Sequence, residues 1–200
     1  MAKIITSDYY LDLEHPSLDN MTDDEFFSFC VQNKNIKIER DENKQILIMA
    51  PVGLSGSAQN FEICGQLFSW NKKAKQGIAF DSSAGFYLPD NSMLNPDAAW
   101  ISNTRWKKVS LEERKKFAYI SPDFIIELMS PSDNLKQTKD KMEKWIKNGV
   151  KLAWLIHPQK QTAFIYKADG TIKQITGFDK KLSGEDVLKG FVLDLSVLNT

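Results

Sequence analysis

The chain has 200 residues, 42% of them hydrophobic, which suits one domain with a core of its own rather than a disordered polymer. Its 26 basic and 26 acidic residues cancel, removing the simplest argument for a nucleic-acid binder. Two widely separated cysteines and two histidines, with no close Cys/His cluster, argue against a disulfide framework and a structural zinc site, so any metal must use oxygen ligands.

Met1 to Tyr10 lacks the basic start and apolar stretch of a signal peptide, and no run approaches the roughly 20 apolar residues of a membrane span. The expectation is a soluble, cytoplasmic protein of one domain, 1–200, with its core over about 20–197 and with Cys30 and Cys64 as buried free thiols. Charge is unevenly placed. Residues 1–30 carry Lys3 against seven acids (Asp8, Asp12, Glu14, Asp19, Asp23, Asp24, Glu25), whereas 102–151 carry twelve Lys/Arg against seven Asp/Glu. The second stretch offers phosphates a basic surface, or is simply the solvated side of amphipathic segments.

In chain order, Thr22-Asp-Asp-Glu25 has the S/T-x-x-E form of a capping box and opens a short helix through Phe26, Phe27, Phe29 and Cys30. Ile36–Glu39 and Gln45–Met49 read as strands across the turn Asp41–Lys44. Over 57–75, Phe61, Cys64, Leu67 and Phe68 recur at helical spacing, predicting a helix laid on a sheet by that face. Ile78–Leu88 and Asp97–Ile101 read as strands separated by the turn-rich Pro89–Pro96. Phe124–Met129 is the apolar run of a strand buried on both faces, followed by a helix of about 134–148. Strands near 152–156 and 162–166 and a Val/Leu-rich end complete a mixed α/β chain, with an open, partly antiparallel sheet flanked by helices.

Two acids occupy unlikely places. Glu127 lies inside Phe-Ile-Ile-Glu-Leu-Met, where a carboxylate is costly to bury unless paired or bound to a cation. Alternation puts Phe124 and Ile126 on one face and Ile125, Glu127 and Met129 on the other. Asp97 heads Asp-Ala-Ala-Trp-Ile just after Pro96. Acids at the ends of neighbouring strands can converge on one hard cation; equally, Glu127 could meet a lysine in a structural ion pair and Asp97 could cap a turn.

Pro96-Asp97, then twenty-nine residues, then Glu127-Leu-Met129, resembles the PD-(D/E)XK nuclease signature. A longer match is carried by Phe80–Phe86, Asn95–Trp100, Pro122–Asp133, Lys141–Gly149 and Trp154–Pro158. Together these resemble the Uma-two family of bacterial endonucleases, of the restriction-endonuclease-like superfamily. The resemblance implies that Asp97 and Glu127 bind magnesium or manganese and that the substrate is DNA. It also implies that the lysine usual two residues after the Glu, here Met129, is replaced by Lys141 on the following helix.

On that helix Leu135, Met142, Trp145 and Ile146 form the apolar face, Lys139 and Lys141 fall on its flanks, and Lys136, Lys144 and Lys147 point outward. Glu62 matches the acid that the superfamily takes from its first helix, although the helical projection turns it from the apolar face. Asp123 stands four strand residues before Glu127, roughly 13 Å away, and reads as structural. Asp81 reads as a turn residue, Ser132 and Asp133 as helix caps, the five tryptophans as core or interface residues, and His157 has no catalytic role. The resulting expectation is a metal-dependent endonuclease hydrolysing DNA phosphodiester bonds, acting singly or as a homodimer. The alternative is a catalytically weak descendant serving as a nucleic-acid-binding or protein-interaction module.

Overall fold

The computed structural model describes residues 21–34 and 36–199 together with the backbone of two strands, β1 (Lys3–Ile5) and β2 (Tyr10–Asp12). The reading that Met1 to Tyr10 carries no signal peptide, together with His15 and the side chains of Asp8, Asp12, Glu14 and Asp19, lies outside the described residues. Helix α1 (Asp23–Gln32) opens on the expected box: Thr22 Oγ1 accepts from the Glu25 N–H, and Glu25 accepts in return from the Thr22 N–H. The hairpin of β3 (Lys37–Arg40) and β4 (Ile46–Met49) follows, its turn held by Asp41 Oδ1 accepting from the backbone of Asn43 and Gln45.

After α2 (Leu54–Ala74), the chain forms β5 (Gly77–Asp81), β6 (Phe86–Tyr87), β7 (Met93–Leu94) and β8 (Ala98–Ser102). The single expected strand Ile78–Leu88 is therefore two. Asp81 Oδ1 accepts from the Ser83 N–H and closes a turn, so β5 and β6 enter different sheets. The stretch Pro89–Pro96 likewise contains β7, which pairs with both β6 and β3. A one-turn helix, α3 (Asn103–Trp106), and β9 (Ala118–Tyr119) lead to β10 (Phe124–Leu128), α4 (Leu135–Lys147), β11 (Leu152–His157), β12 (Thr162–Lys167) and β13 (Ile172–Thr176). A closing hairpin joins β14 (Lys181–Ser183) to β15 (Val192–Asp194).

Two mixed sheets result. One runs β13-β12-β11-β10-β8-β5, parallel at β10–β11 and antiparallel elsewhere; the other runs β2-β1-β4-β3-β7-β6-β9. Strand β10 alternates as expected. Phe124 and Ile126 pack with Ile63 and Leu67 of α2, whereas Ile125 and Met129 pack with Met142 and Trp145 of α4. Each such side chain stabilises the fold by about 1.5–3 kcal/mol on leaving water.

The face of α2 differs from expectation. Gln59, Ile63 and Leu67, four residues apart, turn inward, whereas Leu54 is 93%, Phe61 78% and Phe68 56% exposed. The cap of α4 is Asn134, whose Oδ1 accepts from the N–H groups of Lys136 and Gln137; Asp133 instead accepts from the Ser130 N–H, and Ser132 lies outside the helix.

Candidate active site

Strand β10 carries Glu127 on its α4 face, and α4 lays Met142 and Trp145 onto that face. Anchored by those two side chains, α4 brings the preceding residue, Lys141, beside the strand. Lys141 Nζ lies 3.0 Å from Glu127 Oε1, and the Trp145 indole N–H donates to the same oxygen at 2.9 Å. Asp97 ends the segment entering β8, one residue before Ala98, which pairs with Ile126 of β10. The Asp97 N–H donates to the Ile126 carbonyl at 3.0 Å, and its Oδ2 accepts from the Leu128 N–H at 2.8 Å. The two acids and Lys141 line one cleft of about 550 Å³ between the sheets.

The other sheet supplies two residues that the sequence did not point to. Glu39 on β3 is 3% exposed, and its Oε1 lies 2.8 Å from Lys141 Nζ. Lys37, two residues earlier on the same face of the strand, reaches Asp97 Oδ1 at 3.4 Å. The signal was the alternation Lys-Ile-Glu in a strand, but charges on alternate positions ordinarily mean a solvated face.

Burial pushes the Glu127 carboxyl up to about 7; Asp97 and Glu39 add to the rise and Lys141 opposes it. Burial pulls the Lys141 ammonium down, but the carboxylates of Glu127 and Glu39 outweigh it and hold the group above its ordinary value. The pair thus stands as an ammonium beside a carboxyl that burial keeps close to protonation at neutral pH. Such a carboxyl gains from a cation.

The remaining candidates separate clearly. Lys139 sits on the opposite flank of α4, its Nζ 4.2 Å from the Phe164 ring centre. Lys144 does not point outward: it meets Glu42 and lines the cleft, because the β3–β4 turn folds over that part of α4. Lys136 and Lys147 are exposed as expected. Glu62 is exposed on α2, next to Ile63 of the inward row, and is not among the residues lining the cleft, so the structure does not bring it to Asp97 and Glu127. Met129 is buried in the core against α4.

Asp123 is structural. It is buried, accepts from the Ser102 N–H at 2.8 Å and meets Arg105 and Lys151 at 3.2 and 2.7 Å; those contacts outweigh burial and lower its proton affinity. His157 is buried at the end of β11, where burial and Lys160 lower its proton affinity. Trp100, Trp145 and Trp154 are core residues. Cys30 and Cys64 are free and half-buried, and burial pushes each thiol up to about 11. Cys64 Sγ lies 3.6 Å from the Asp97 carbonyl, which fixes the segment entering β8 against α2.

Oxygen donors on Asp97 and Glu127 suit magnesium or manganese, which keep several waters and take one or two carboxylates. Both contacts of Glu127 fall on a single oxygen, Oε1. Among the described residues no three Asp, Glu, His or Cys side chains stand as close as a complete ligand shell requires. An ion on Asp97 and Glu127, which line one cleft, would be held by two carboxylates and not enclosed by protein. No helix among the described residues is long and apolar enough to cross a membrane.

No curated protein matches the chain. Among solved structures, a "putative nuclease belonging to DUF820" from Anabaena variabilis ATCC 29413 is similar in fold, with a TM-score of 0.72 and 21% identity over 90% of this chain and 98% of that one. A family described as "Uma2: Putative restriction endonuclease" matches residues 23–196, a span that holds both strands of acids, the β3–β4 hairpin and α4. The chain belongs to that family, and its fold is the nuclease-like arrangement of mixed sheets flanked by helices.

Proposed function

We propose that the protein is a magnesium- or manganese-dependent endonuclease that hydrolyses DNA phosphodiester bonds in the cytoplasm. The observation that carries this reading is the buried carboxylate Glu127 contacted by the Lys141 ammonium and facing the same cleft as Asp97. Asp97 and Glu127 would hold the ion. When bound, it supplies Lewis acidity and an activated water.

The chain's own residues supply the rest. Trp145 fixes one oxygen of Glu127, and the Leu128 N–H fixes one of Asp97, so both carboxylates are oriented before any ligand arrives. Lys141 lends its charge to the phosphate oxygens as negative charge develops there in an in-line displacement. Leu47, Met49 and Leu94 form an apolar part of the wall, which lowers the local dielectric and strengthens each of these interactions. The outward stripe of Leu54, Phe61 and Phe68 on α2 supports pairing of two copies, as a two-strand cut requires.

A second reading is a binding module without cleavage. One observation favours it: each acid already has an ammonium, Lys37 for Asp97 and Lys141 for Glu127, so the ionic network closes on itself. Supercoiled and linear DNA incubated with each metal decides between them. Cleavage that falls about a hundredfold in Lys141→Ala, while Lys147→Ala on the exposed side of α4 matches the wild type, supports the nuclease; no cleavage with any metal or DNA form supports the module.

A further inference from the structure

The mechanism above leaves Glu39 without a task. Its Oε1 accepts from Lys141 Nζ at 2.8 Å and from the Asn95 N–H at 2.8 Å. A carboxylate stays buried only where bonds replace the water it has lost, and here a backbone donor and an ammonium both bond its Oε1. Asn95 stands two residues before Asp97. The same short segment therefore anchors Glu39 and supplies an acid of the pair.

Lys141 consequently has two anions, one from each sheet. That division matters once a cation takes Glu127. With Glu127 as its only partner, the buried ammonium would lose its counter-charge whenever the ion bound, and ion and lysine would exclude each other. With Glu39 in place, the ammonium keeps a charge-assisted bond throughout.

We propose that Glu39 is the positioning residue for Lys141, holding the ammonium in the cleft and off Glu127 while a divalent cation occupies the Asp97–Glu127 pair. This inference rests on the reading of those two acids as the metal-holding pair. Glu39 touches neither ion nor substrate; it acts through the lysine.

The test is a double-mutant cycle on manganese binding, measured by calorimetry on the full chain with Glu39→Gln, Lys141→Met and both together. Gln has the size of Glu and keeps an acceptor for the Asn95 N–H. Glu39→Gln is expected to weaken manganese binding about tenfold, and to change it less than about twofold in the Lys141→Met background. On DNA, Glu39→Gln lowers kcat with KM unchanged, and Glu39→Asp restores part of the loss. If Glu39→Gln does not fold, Glu39→Asp, which draws the charge back by one methylene, replaces it in the cycle with a smaller coupling of the same sign. Equal weakening in both backgrounds, or no change in binding and kcat, overturns the inference. A chain that binds manganese with the expected coupling but cuts no DNA overturns the nuclease reading alone; a wild type that binds no manganese overturns both.

Discussion

The Trp145 indole N–H donates to Glu127 Oε1 at 2.9 Å, and both side chains are buried. The residue that docks α4 on the sheet is therefore the one that aims the candidate ligand. Trp145→Phe keeps an aromatic ring in the core but removes the donor. Urea unfolding should show a loss of about 1 kcal/mol, the net worth of one buried hydrogen bond, since Lys141 still meets the same oxygen. Manganese binding should weaken with it, because Glu127 is free to turn; unchanged binding would show that its aim does not depend on the indole.

Glu127 sets a pH dependence. Its ordinary value is 4.5 and folding raises it to about 7, so the folded chain holds that proton more tightly than the unfolded one. Stability from this group is present in full below 4.5 and is lost as pH rises through about 7. A cation needs the carboxylate, so its binding strengthens across the same window. Melting curves with and without manganese should therefore diverge more at about pH 8 than at about pH 6. In Glu127→Gln that growth should vanish, as should the whole metal-dependent shift when Asp97→Asn is added.

Asp123 gives the opposite kind of variant. Its contacts with Arg105, Lys151 and the Ser102 N–H lie in the strand-end network, away from the cleft lining. Asp123→Ala should cost about 1–3 kcal/mol in urea unfolding by leaving the Ser102 N–H without its acceptor, with manganese affinity unchanged below the transition. Weaker metal binding in the folded variant would count against its separation from the site.

Outward Phe61 and Phe68, seven residues apart on α2, give a solution test of pairing. Replacing both by Glu should halve the mass in sedimentation equilibrium and leave the melting temperature of the chain within a few degrees, since neither ring is in the core. A wild type of single-chain mass would remove the paired reading.

What the sequence disclosed was what local physics decides. The Thr22–Glu25 box is four residues long, and an acid inside Phe-Ile-Ile-Glu-Leu-Met is out of place on any fold. Glu39 was hidden because its bonds are to Asn95 and Lys141, 56 and 102 residues away, and its neighbours Lys37 and Arg40 made the strand look solvated. Phe80 and Phe86 read as one strand because a tight Asx turn between them costs no apolar residue and hardly marks the pattern. Phe61 and Phe68 were taken for the inner face because α2 carries apolar residues on both sides, and periodicity cannot tell which side meets the sheet.

The spread of the site along the chain has a consequence for synthesis. Glu39 leaves the ribosome first, Asp97 and Glu127 follow, and Lys141 on α4 comes last, with Trp145 four residues later to anchor it. A nascent chain that stops between Glu127 and α4 holds the acids without the lysine or the helix that seats it. Because the two sheets must also meet before Glu39 and Lys141 can touch, closure belongs among the slow, long-range steps of folding. On the nuclease reading proposed above, truncated or half-folded copies would lack the lysine that cleavage needs.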